Sequence, residues 1–294
     1  RIILKKTGKR EDTMAEIIDG KKISQEIKDE LKEKVAAMHA QGQEVTLAVV
    51  LVGQDPASCV YVRNKKRACE YIGIRSLSYE LAEDTSEEEV LALIDKLNGD
   101  KDVNGILVQL PLPKHMDEDK STRAIDPLKD VDGFHPQNVG ALSIGLPGFV
   151  SCTPAGIIQL LKRSHIDMEG KHCVIVGRSN IVGKPMALLM LRENATVTVT
   201  HSKTKDLASV TRQADILIVA IGKKQFITAD YVKEGVVVID VGMHRDENNH
   251  LCGDVAYDEV ASHCSAITPV PGGVGPMTIA MLMHNCLESV DLQK

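Results

Sequence analysis

Apolar residues recur along the chain with two alternating spacings. From Ile17 onward they follow helical spacing in SQEIKDELKEKVAAM, fill the run TLAVVLVG, and return to helical spacing in SCVYVRNKKRACEYIG. A strand is then predicted for SLSYELA, a helix opened by a capping box at Ser86 and Glu89 for SEEEVLALIDKL, and a strand for VNGILVQL. This alternation predicts an α/β fold whose first lobe ends near Gly148.

The second half of the chain repeats the alternation. The helical pattern SCTPAGIIQLLKRS is followed by four apolar runs, HCVIVG, ATVTVT, ADILIVAIG and GVVVIDVG. We predict that these are parallel strands buried on both faces. A shorter run, SAITPV, leads to the loop PGGVGP, after which MTIAMLMHNCLESV predicts a buried closing helix.

Length and charge narrow the class of partner. The 294 residues are enough for two domains, and the formal net charge is -6 at pH 7, with basic residues scattered among acidic ones. We therefore expect a small molecule in a cleft between two lobes and no nucleic-acid partner. No apolar run reaches the roughly 18 residues that a membrane span needs, so we expect a soluble protein with no membrane partner.

Cysteine and histidine spacing predicts neither disulfides nor a metal centre. The seven cysteines are odd in number and contain no C-x-x-C pair, which is typical of reduced thiols in a cytoplasmic protein. The pairs His250 with Cys252 and His263 with Cys264 lack metal-ligand spacing. Residues 1–13 are basic, short and interrupted by acids, so we interpret them as a flexible leader in preference to a targeting signal.

The stretch VIVGRSNIVGKP, residues 174–185, has the strand, turn and helix context of a dinucleotide phosphate site, although it lacks the middle glycine of G-x-G-x-x-G. Gly177 suits the tight turn and Gly183 suits close approach of helix to strand. The free N–H groups at the start of the new helix favour an anion. The alternative is a plain strand-to-helix turn whose glycines serve packing alone.

The residues at the end of the following strand distinguish a binding site for NAD from one for NADP. An NAD-selective fold places an acid there to bind the ribose hydroxyls. Here the segment reads TVTHSKTKD, with His201, Ser202 and Lys203 at that position. Together with Arg178, directly after the first glycine, they offer hydrogen-bond donors and positive charge to a 2′-phosphate. We therefore infer NADP as the cofactor in preference to NAD.

Two candidate groups for chemistry lie in the first lobe. Tyr61 and Lys65 are spaced i, i+4 and share one helix face, so a desolvated lysine amine beneath a flat ligand is one interpretation and a solvated surface helix is the other. Gln109 ends an apolar strand at the edge where ligands bind in open α/β sheets, although a glutamine there also commonly satisfies loop backbone.

Two loops carry further candidates. Asp130 and Asp132 precede a glycine in DPLKDVDGFHPQN, where an aspartate either forms a turn or accepts hydrogen bonds from the amine and amide edge of a ligand. The loop TPVPGGVGPMT is rich in proline and glycine, and Gly272 and Gly273 leave its backbone bare for close approach to a ligand.

Five separated blocks, YVRNKKRA, GILVQLPLP, KDVDGFHPQNVG, VGRSNIVGKP and TPVPGGVGPMT, occur together in order. With them the chain resembles the bifunctional methylenetetrahydrofolate dehydrogenase/cyclohydrolase family over essentially all of residues 17–290. The resemblance implies that Lys65 is the catalytic lysine, that Tyr61 stacks on the folate, that Gln109 hydrogen-bonds and tunes the lysine, and that Asp132 holds the pterin ring.

The same resemblance implies a cofactor set and a reaction. Its cofactor residues would be Gly177, Arg178, Ser179, Gly183, Ser202 and Thr278, and the loop of Pro271, Gly272 and Gly273 would lie near the nicotinamide and the folate. Hydride would pass from 5,10-methylenetetrahydrofolate to NADP+, and water would then open the methenyl product to 10-formyltetrahydrofolate. Tetrahydrofolate derivatives are thus the expected substrates, and a homodimer formed through the nucleotide-binding lobe is the expected assembly.

The resemblance also assigns the domains. Residues 14–150 would form a folate-binding domain completed by the C-terminal helix, 278–294, and residues 151–277 would form a Rossmann-like NADP-binding domain. Two other functions share parts of this pattern. One is an NADP-dependent dehydrogenase of a small carboxylate, similar to shikimate dehydrogenase, and the other is a non-catalytic module that senses NADP.

Overall fold

The computed structural model describes residues 15–294, and the predicted leader 1–13 lies outside the described residues. Strands and helices alternate through most of this range. The strands are β1 (Glu16–Ile17), β2 (Thr46–Val52), β3 (Arg75–Leu81), β4 (Gly105–Val108), β5 (His172–Val176), β6 (Thr196–Thr200), β7 (Ile216–Val219), β8 (Val236–Asp240), β9 (His244–Arg245), β10 (Leu251–Cys252) and β11 (Cys264–Ile267).

The helices are α1 (Gly20–Ala40), α2 (Pro56–Ile72), α3 (Glu87–Gly99), α4 (Glu118–Ala124), α5 (Pro136–Ile144), α6 (Cys152–Arg163), α7 (Gly183–Arg192), α8 (Leu207–Thr211), α9 (Tyr257–Val260) and α10 (Val274–Leu292). Six of the helices, α1, α2, α3, α6, α7 and α10, carry segments that the sequence predicts to be helical, and α4, α5, α8 and α9 were not predicted. The predicted capping box opens α3, because Ser86 and Glu89 each accept a hydrogen bond from the other's backbone N–H. Among the described helices, none is long and apolar enough to cross a membrane.

The first lobe is built on a parallel sheet with the strand order β3-β2-β4. The central strand β2 is buried along its whole length, which explains why its sequence is apolar without alternation. The next helix, α2, begins with an Asp55 cap and Pro56, and ends at Gly73 in the left-handed conformation. These local signals fix where α2 starts and stops.

The second lobe is built on a six-stranded parallel sheet in the order β1-β11-β8-β7-β5-β6. Strand β5 pairs with β6 on one side and with β7 on the other, so the strand order reverses its direction at β5. The carboxyl ends of β5 and β7 therefore border a crevice of the kind that binds ligands in open α/β sheets. The predicted α/β fold with two lobes is confirmed.

Two strands differ from the sequence prediction. The prediction that β6 is buried on both faces was wrong: β6 is the sheet's outer strand, and both Thr196 and Val199 are exposed. At the opposite edge, β1 pairs in parallel with β11, so Glu16 and Ile17 belong to the second sheet although they precede the first lobe in the chain. The domain bounds of 14–150 and 151–277 otherwise stay a prediction.

Helix α10 joins the two lobes. It packs against α6, which leads into the second sheet, and against α1 and α2 of the first lobe. Its buried side chains cover most of its circumference, as a helix enclosed by other elements requires. The helix starts at Val274, earlier than the predicted 278, because the chain turns into it directly after Gly273. The expected packing of the last helix on the first lobe is confirmed.

We predict that Gly156→Ala lowers the free energy of unfolding by about 1–3 kcal/mol. A Cβ at Gly156 in α6 would lie 2.8 Å from Met277 Cβ in α10, which is too close for either helix to accept without shifting. Urea unfolding followed by circular dichroism measures the change. The matched control is Gly140→Ala in α5, where an added Cβ meets nothing within 4 Å. The close contact is refuted if both variants are as stable as the wild type.

Candidate active site

Lys65 lies on the inward face of α2. Its side chain is 8% exposed, whereas its neighbours Asn64 and Lys66 are exposed. Lys65 Nζ donates a hydrogen bond of 2.9 Å to Gln109 Oε1. The surface-helix interpretation therefore fails at this residue, because a charged amine is buried here only with a specific partner.

Gln109 holds that lysine from the end of β4. Its Nε2 donates to the Leu110 carbonyl at 2.7 Å, while its Oε1 faces Lys65. The interpretation that this glutamine satisfies loop backbone is therefore correct, and its role toward a ligand stays a prediction. The bond to backbone fixes which way the amide points, and the oxygen that remains orients the lysine amine.

Asp132 and Asp130 have different surroundings although they are two residues apart. Asp130 is buried and accepts hydrogen bonds from His135 N at 2.7 Å and Asn138 Nδ2 at 2.9 Å, so it is the turn-forming aspartate. Burial raises the pKa of Asp130 to about 6. Burial also raises the pKa of Asp132, and the nearby charge of Lys65 opposes that shift. Asp132 is half-buried and lies close enough to Lys65 for the two charges to interact.

Buried side chains that sequence reasoning missed hold the loop of Asp132 in place. Lys129 Nζ donates to the Leu97, Asn98 and Asp100 carbonyls at 3.1, 2.8 and 2.7 Å, around the end of α3. Asn285 Nδ2 of α10 donates to the Val131 and Val150 carbonyls at 2.8 and 3.1 Å. No sequence motif predicts these contacts, because the two side chains bind backbone carbonyls that are distant in the chain.

Tyr61 lies one helical turn before Lys65, on the predicted shared face. Its hydroxyl is 3.8 Å from Met243 Sδ, which follows β8 in the other lobe. Burial raises the pKa of the phenol, so it stays neutral. The tyrosine thus lies where the two lobes meet. Met243 is a further residue that sequence reasoning missed, since the segment VGMH carries no recognisable motif.

The loop of Pro271, Gly272 and Gly273 docks on the start of α1. Gly272 has φ +108°, and its carbonyl accepts a hydrogen bond of 2.9 Å from Lys21 N. A Cβ on Gly20 would overlap the Gly273 carbonyl. The bare backbone predicted for this loop therefore permits close approach within the chain itself, while Pro271 stays exposed.

Thr278 lies in α10 at the crossing with α6. Its Oγ1 is 2.9 Å from Thr153 Oγ1, and the two hydroxyls form a hydrogen bond. Both side chains are half-buried, so the pair fixes the two helices relative to each other at the edge of the cleft.

Gly177 and Gly183 both serve packing in the turn after β5. Gly177 has φ +127°, and a Cβ there would overlap the Ala220 carbonyl beyond β7. A Cβ on Gly183 would overlap the Gly177 carbonyl. Ser179 Oγ accepts hydrogen bonds from Val182 N at 3.2 Å and Gly183 N at 3.4 Å, which closes the turn. The turn is therefore as tight as a dinucleotide phosphate site requires without the middle glycine.

The same turn also presents donors for an anion. Within residues 15–294, the backbone N–H groups of residues 178–181 donate to no protein acceptor. Arg178 is exposed beside them at the carboxyl end of β5, and Ser202 is exposed at the carboxyl end of the neighbouring strand β6. The two residues predicted to meet a 2′-phosphate are thus at adjacent strand ends. In the described part of the chain, no group of three or more His, Cys, Asp or Glu residues is arranged to hold a metal ion.

Comparison with solved structures places this arrangement among known proteins. Methylenetetrahydrofolate dehydrogenase/cyclohydrolase FolD from Campylobacter jejuni is 54% identical, with a TM-score of 0.93, covering 95% of this chain and 99% of that one. The Trypanosoma brucei enzyme, solved with NADP and an inhibitor, is 37% identical with a TM-score of 0.90, at 95% and 98% coverage. A shikimate dehydrogenase from Peptoclostridium difficile is 16% identical with a TM-score of 0.51, a likeness of fold alone.

Sequence comparison extends the likeness to the whole chain. Bifunctional protein FolD of Agathobacter rectalis is 72% identical over 277 residues, which are 94% of this chain and 99% of that protein. The catalytic-domain model of the tetrahydrofolate dehydrogenase/cyclohydrolase family matches residues 18–132, and its NAD(P)-binding-domain model matches residues 151–294. With both domains present in order, the chain belongs to the tetrahydrofolate dehydrogenase/cyclohydrolase family.

Proposed function

We propose that the chain oxidises 5,10-methylenetetrahydrofolate to 5,10-methenyltetrahydrofolate with NADP+ and hydrolyses the product to 10-formyltetrahydrofolate in the same cleft. The observation that carries this proposal is the hydrogen bond between buried Lys65 and half-buried Gln109, close to Asp132, in a chain whose other lobe has a dinucleotide-type turn. Membership of the family supports both activities, because both of its domains are matched.

Asp132 and Tyr61 hold the folate in this proposal. An ionised carboxylate accepts two hydrogen bonds, which suits the adjacent amine and ring N–H of a pterin. Tyr61 offers the flat face of a neutral phenol beside Lys65, on the same side of α2. The substrate would then lie across Lys65, with its reacting carbon toward the second lobe.

Lys65 acts as the proton carrier of the hydrolytic step. Water adds to the methenyl carbon while one of its protons passes to the lysine amine. The bond between that carbon and N5 then breaks as the formyl carbonyl forms, N5 takes one proton, and a second proton is released to solvent. Gln109 orients the lysine amine through its 2.9 Å hydrogen bond, and is a positioning residue in this scheme.

The residues of the turn after β5 fit NADP. The unpartnered N–H groups of residues 178–181 suit the pyrophosphate, and Arg178 with Ser202 suits the 2′-phosphate. Ser179, Gly177 and Gly183 shape that turn. NADP+ supplies the hydride acceptor when bound. The loop of Pro271, Gly272 and Gly273, with Thr278, would border the space between cofactor and folate.

The two rival functions are not favoured. A dehydrogenase of a small carboxylate has only the fold-level likeness to shikimate dehydrogenases in its support. A module that merely senses NADP has no use for a buried lysine held by a strand-end glutamine in the opposite lobe.

A homodimer formed through the β6 edge completes the proposal. This strand has one unpaired side and reads TVTVT, with no charge to discourage pairing. Leu191 of the adjacent helix α7 is exposed beside it. A cytoplasmic location also belongs to the proposal, and the seven unpaired cysteines are consistent with a reducing compartment.

Lys65→Met is expected to lower cyclohydrolase activity about 10²–10⁴-fold, because it removes the proton carrier while keeping the length of the side chain. The decay of methenyltetrahydrofolate absorbance measures the rate. Lys66→Met, at the exposed neighbouring lysine, is the matched control and should leave the rate unchanged. Full activity in Lys65→Met would refute the assigned role.

Arg178→Ala is expected to lower kcat/KM for NADP+ about 10- to 100-fold, since the charge-assisted hydrogen bonds of one guanidinium contribute roughly 1.5–3 kcal/mol. The low activity with NAD+ should hardly change, because NAD+ lacks the 2′-phosphate. Lys171→Ala, at the opposite end of β5, removes an exposed positive charge as a control. An equal loss with both cofactors would contradict the assignment of Arg178.

Val199→Lys is expected to convert the dimer to a monomer, because it places a charge on the exposed side of β6. Sedimentation equilibrium should give about twice 32.0 kDa for the wild type and about 32.0 kDa for the variant. Ile17→Lys changes an exposed residue at the opposite edge of the same sheet and should stay dimeric. A monomeric wild type would rule out the dimer.

A further inference from the structure

Asp254 is a buried carboxylate that the proposed mechanism does not use. It has 0% exposure and accepts hydrogen bonds from three successive backbone N–H groups, those of Ile221 at 2.8 Å, Gly222 at 3.0 Å and Lys223 at 2.8 Å. His244 Nε2 lies 2.8 Å from the same carboxylate. One side chain therefore fixes a whole loop after β7 and one residue of the loop after β8.

Asp240, the last residue of β8, holds Asp254 in turn. Its Oδ1 accepts hydrogen bonds from Gly242 N and Asp254 N, both at 2.9 Å, and its Oδ2 accepts one from Val255 N at 3.0 Å. Its own N–H donates to Thr268 Oγ1 at 2.8 Å. The two aspartates thus share one network beneath the carboxyl ends of β7, β8 and β11.

The loops held by this network border the crevice on its nucleotide side. The loop after β7 begins at Ala220, whose carbonyl packs so tightly on Gly177 that no Cβ fits between them. The loop after β8 carries Met243, which contacts Tyr61 in the other lobe. Residues 221–223 consequently lie along the part of the crevice that runs from the phosphate turn toward the folate side.

The nicotinamide end of the cofactor has to lie in that part of the crevice. If the phosphates bind at the Gly177 turn and the folate lies on Tyr61, the hydride acceptor must come to rest between them for transfer to occur. Gly222 has no side chain, and the partly buried side chain of Ile221 packs against the core of the second sheet, so this stretch offers mainly backbone to the space. The position of this backbone therefore depends on the carboxylate beneath it.

We propose that Asp254 is a positioning residue for hydride transfer, which sets the 221–223 backbone against the nicotinamide end of NADP. The inference rests on the proposed function. Asp254 touches neither substrate nor cofactor phosphates and acts through the loop that it holds. Its loss should therefore affect the nicotinamide end selectively and leave the adenosine end and the hydrolytic step intact.

Asp254→Asn is the test variant. The amide keeps one acceptor oxygen but replaces the other with an NH2 group, which faces backbone donors and breaks at least one bond to residues 221–223. We expect dehydrogenase kcat/KM to fall about 10- to 100-fold. Calorimetry should show weaker binding of NADP+ and unchanged binding of 2′,5′-ADP, which carries the 2′-phosphate without the nicotinamide. Cyclohydrolase activity should stay within about threefold of wild type, since Lys65 is placed by α2 and Gln109, which both belong to the first lobe.

The controls separate this inference from a general loss of structure and from failure of the proposed function. Parallel losses of 2′,5′-ADP binding and cyclohydrolase activity would overturn the positioning role, as would unchanged NADP+ binding and dehydrogenase activity. His244→Leu leaves the three bonds to residues 221–223 but frees Oδ1 of Asp254, the oxygen that also accepts from Lys223 N, and it decides the matter if Asp254→Asn does not fold. A smaller loss of the same selectivity supports the role, and no loss refutes it. A wild type that oxidises no methylenetetrahydrofolate would instead refute the proposed function.

Discussion

The burial of α10 between α6 and α1 is the constraint on which the cleft depends. The helix passes Gly156 closely enough that only glycine fits there, and Thr278 bonds Thr153 across the same crossing. Farther along, Asn285 donates to the carbonyls of Val131 and Val150. One helix thereby sets the distance between the lobes and the place of the aspartate loop. One buried amide on this mostly apolar helix is enough to fix the aspartate loop. Without it, the carbonyls of Val131 and Val150 would lack hydrogen bonds in the interior, which would destabilise the folded state.

Ionisable groups inside the protein differ in how their burial is compensated, and this separates residues that support loops from those proposed to act on the substrate. Asp130, Asp240 and Asp254 each accept two or more hydrogen bonds from groups of the chain, which makes them supports of loops. Asp132 faces Lys65, and burial raises its pKa. A carboxylate without a full set of internal donors is available to a ligand. The same contrast holds for Lys129, bound to three carbonyls, and Lys65, bound to one amide oxygen.

Local signals in the sequence were sufficient for the longer helices and most strands and for placing Tyr61 and Lys65 on one face of α2, but not for whether that face is buried. Capping residues and apolar periodicity act over a few residues, so the limits of α2 and α3 and the proximity of Tyr61 to Lys65 follow from them. Strand order is a long-range property, and for that reason the edge position of β6 was not foreseen. The same limit applies to Lys129 and Met243 and to the bonds of Asp254 with residues 221–223, since these partners are 29 or more residues away in the chain.

The place of α10 also bears on the order in which the chain can fold during synthesis. Strand β1 needs β11 as its partner, and the faces of α1 and α2 are covered only when residues 274–292 are present. Both lobes consequently expose apolar surface until the chain has been made past residue 290, and contacts of such high sequence separation form slowly. The first lobe therefore completes its folding only after the second has been synthesised. A polypeptide that stops short of α10 exposes the apolar surface that chaperones and proteases bind.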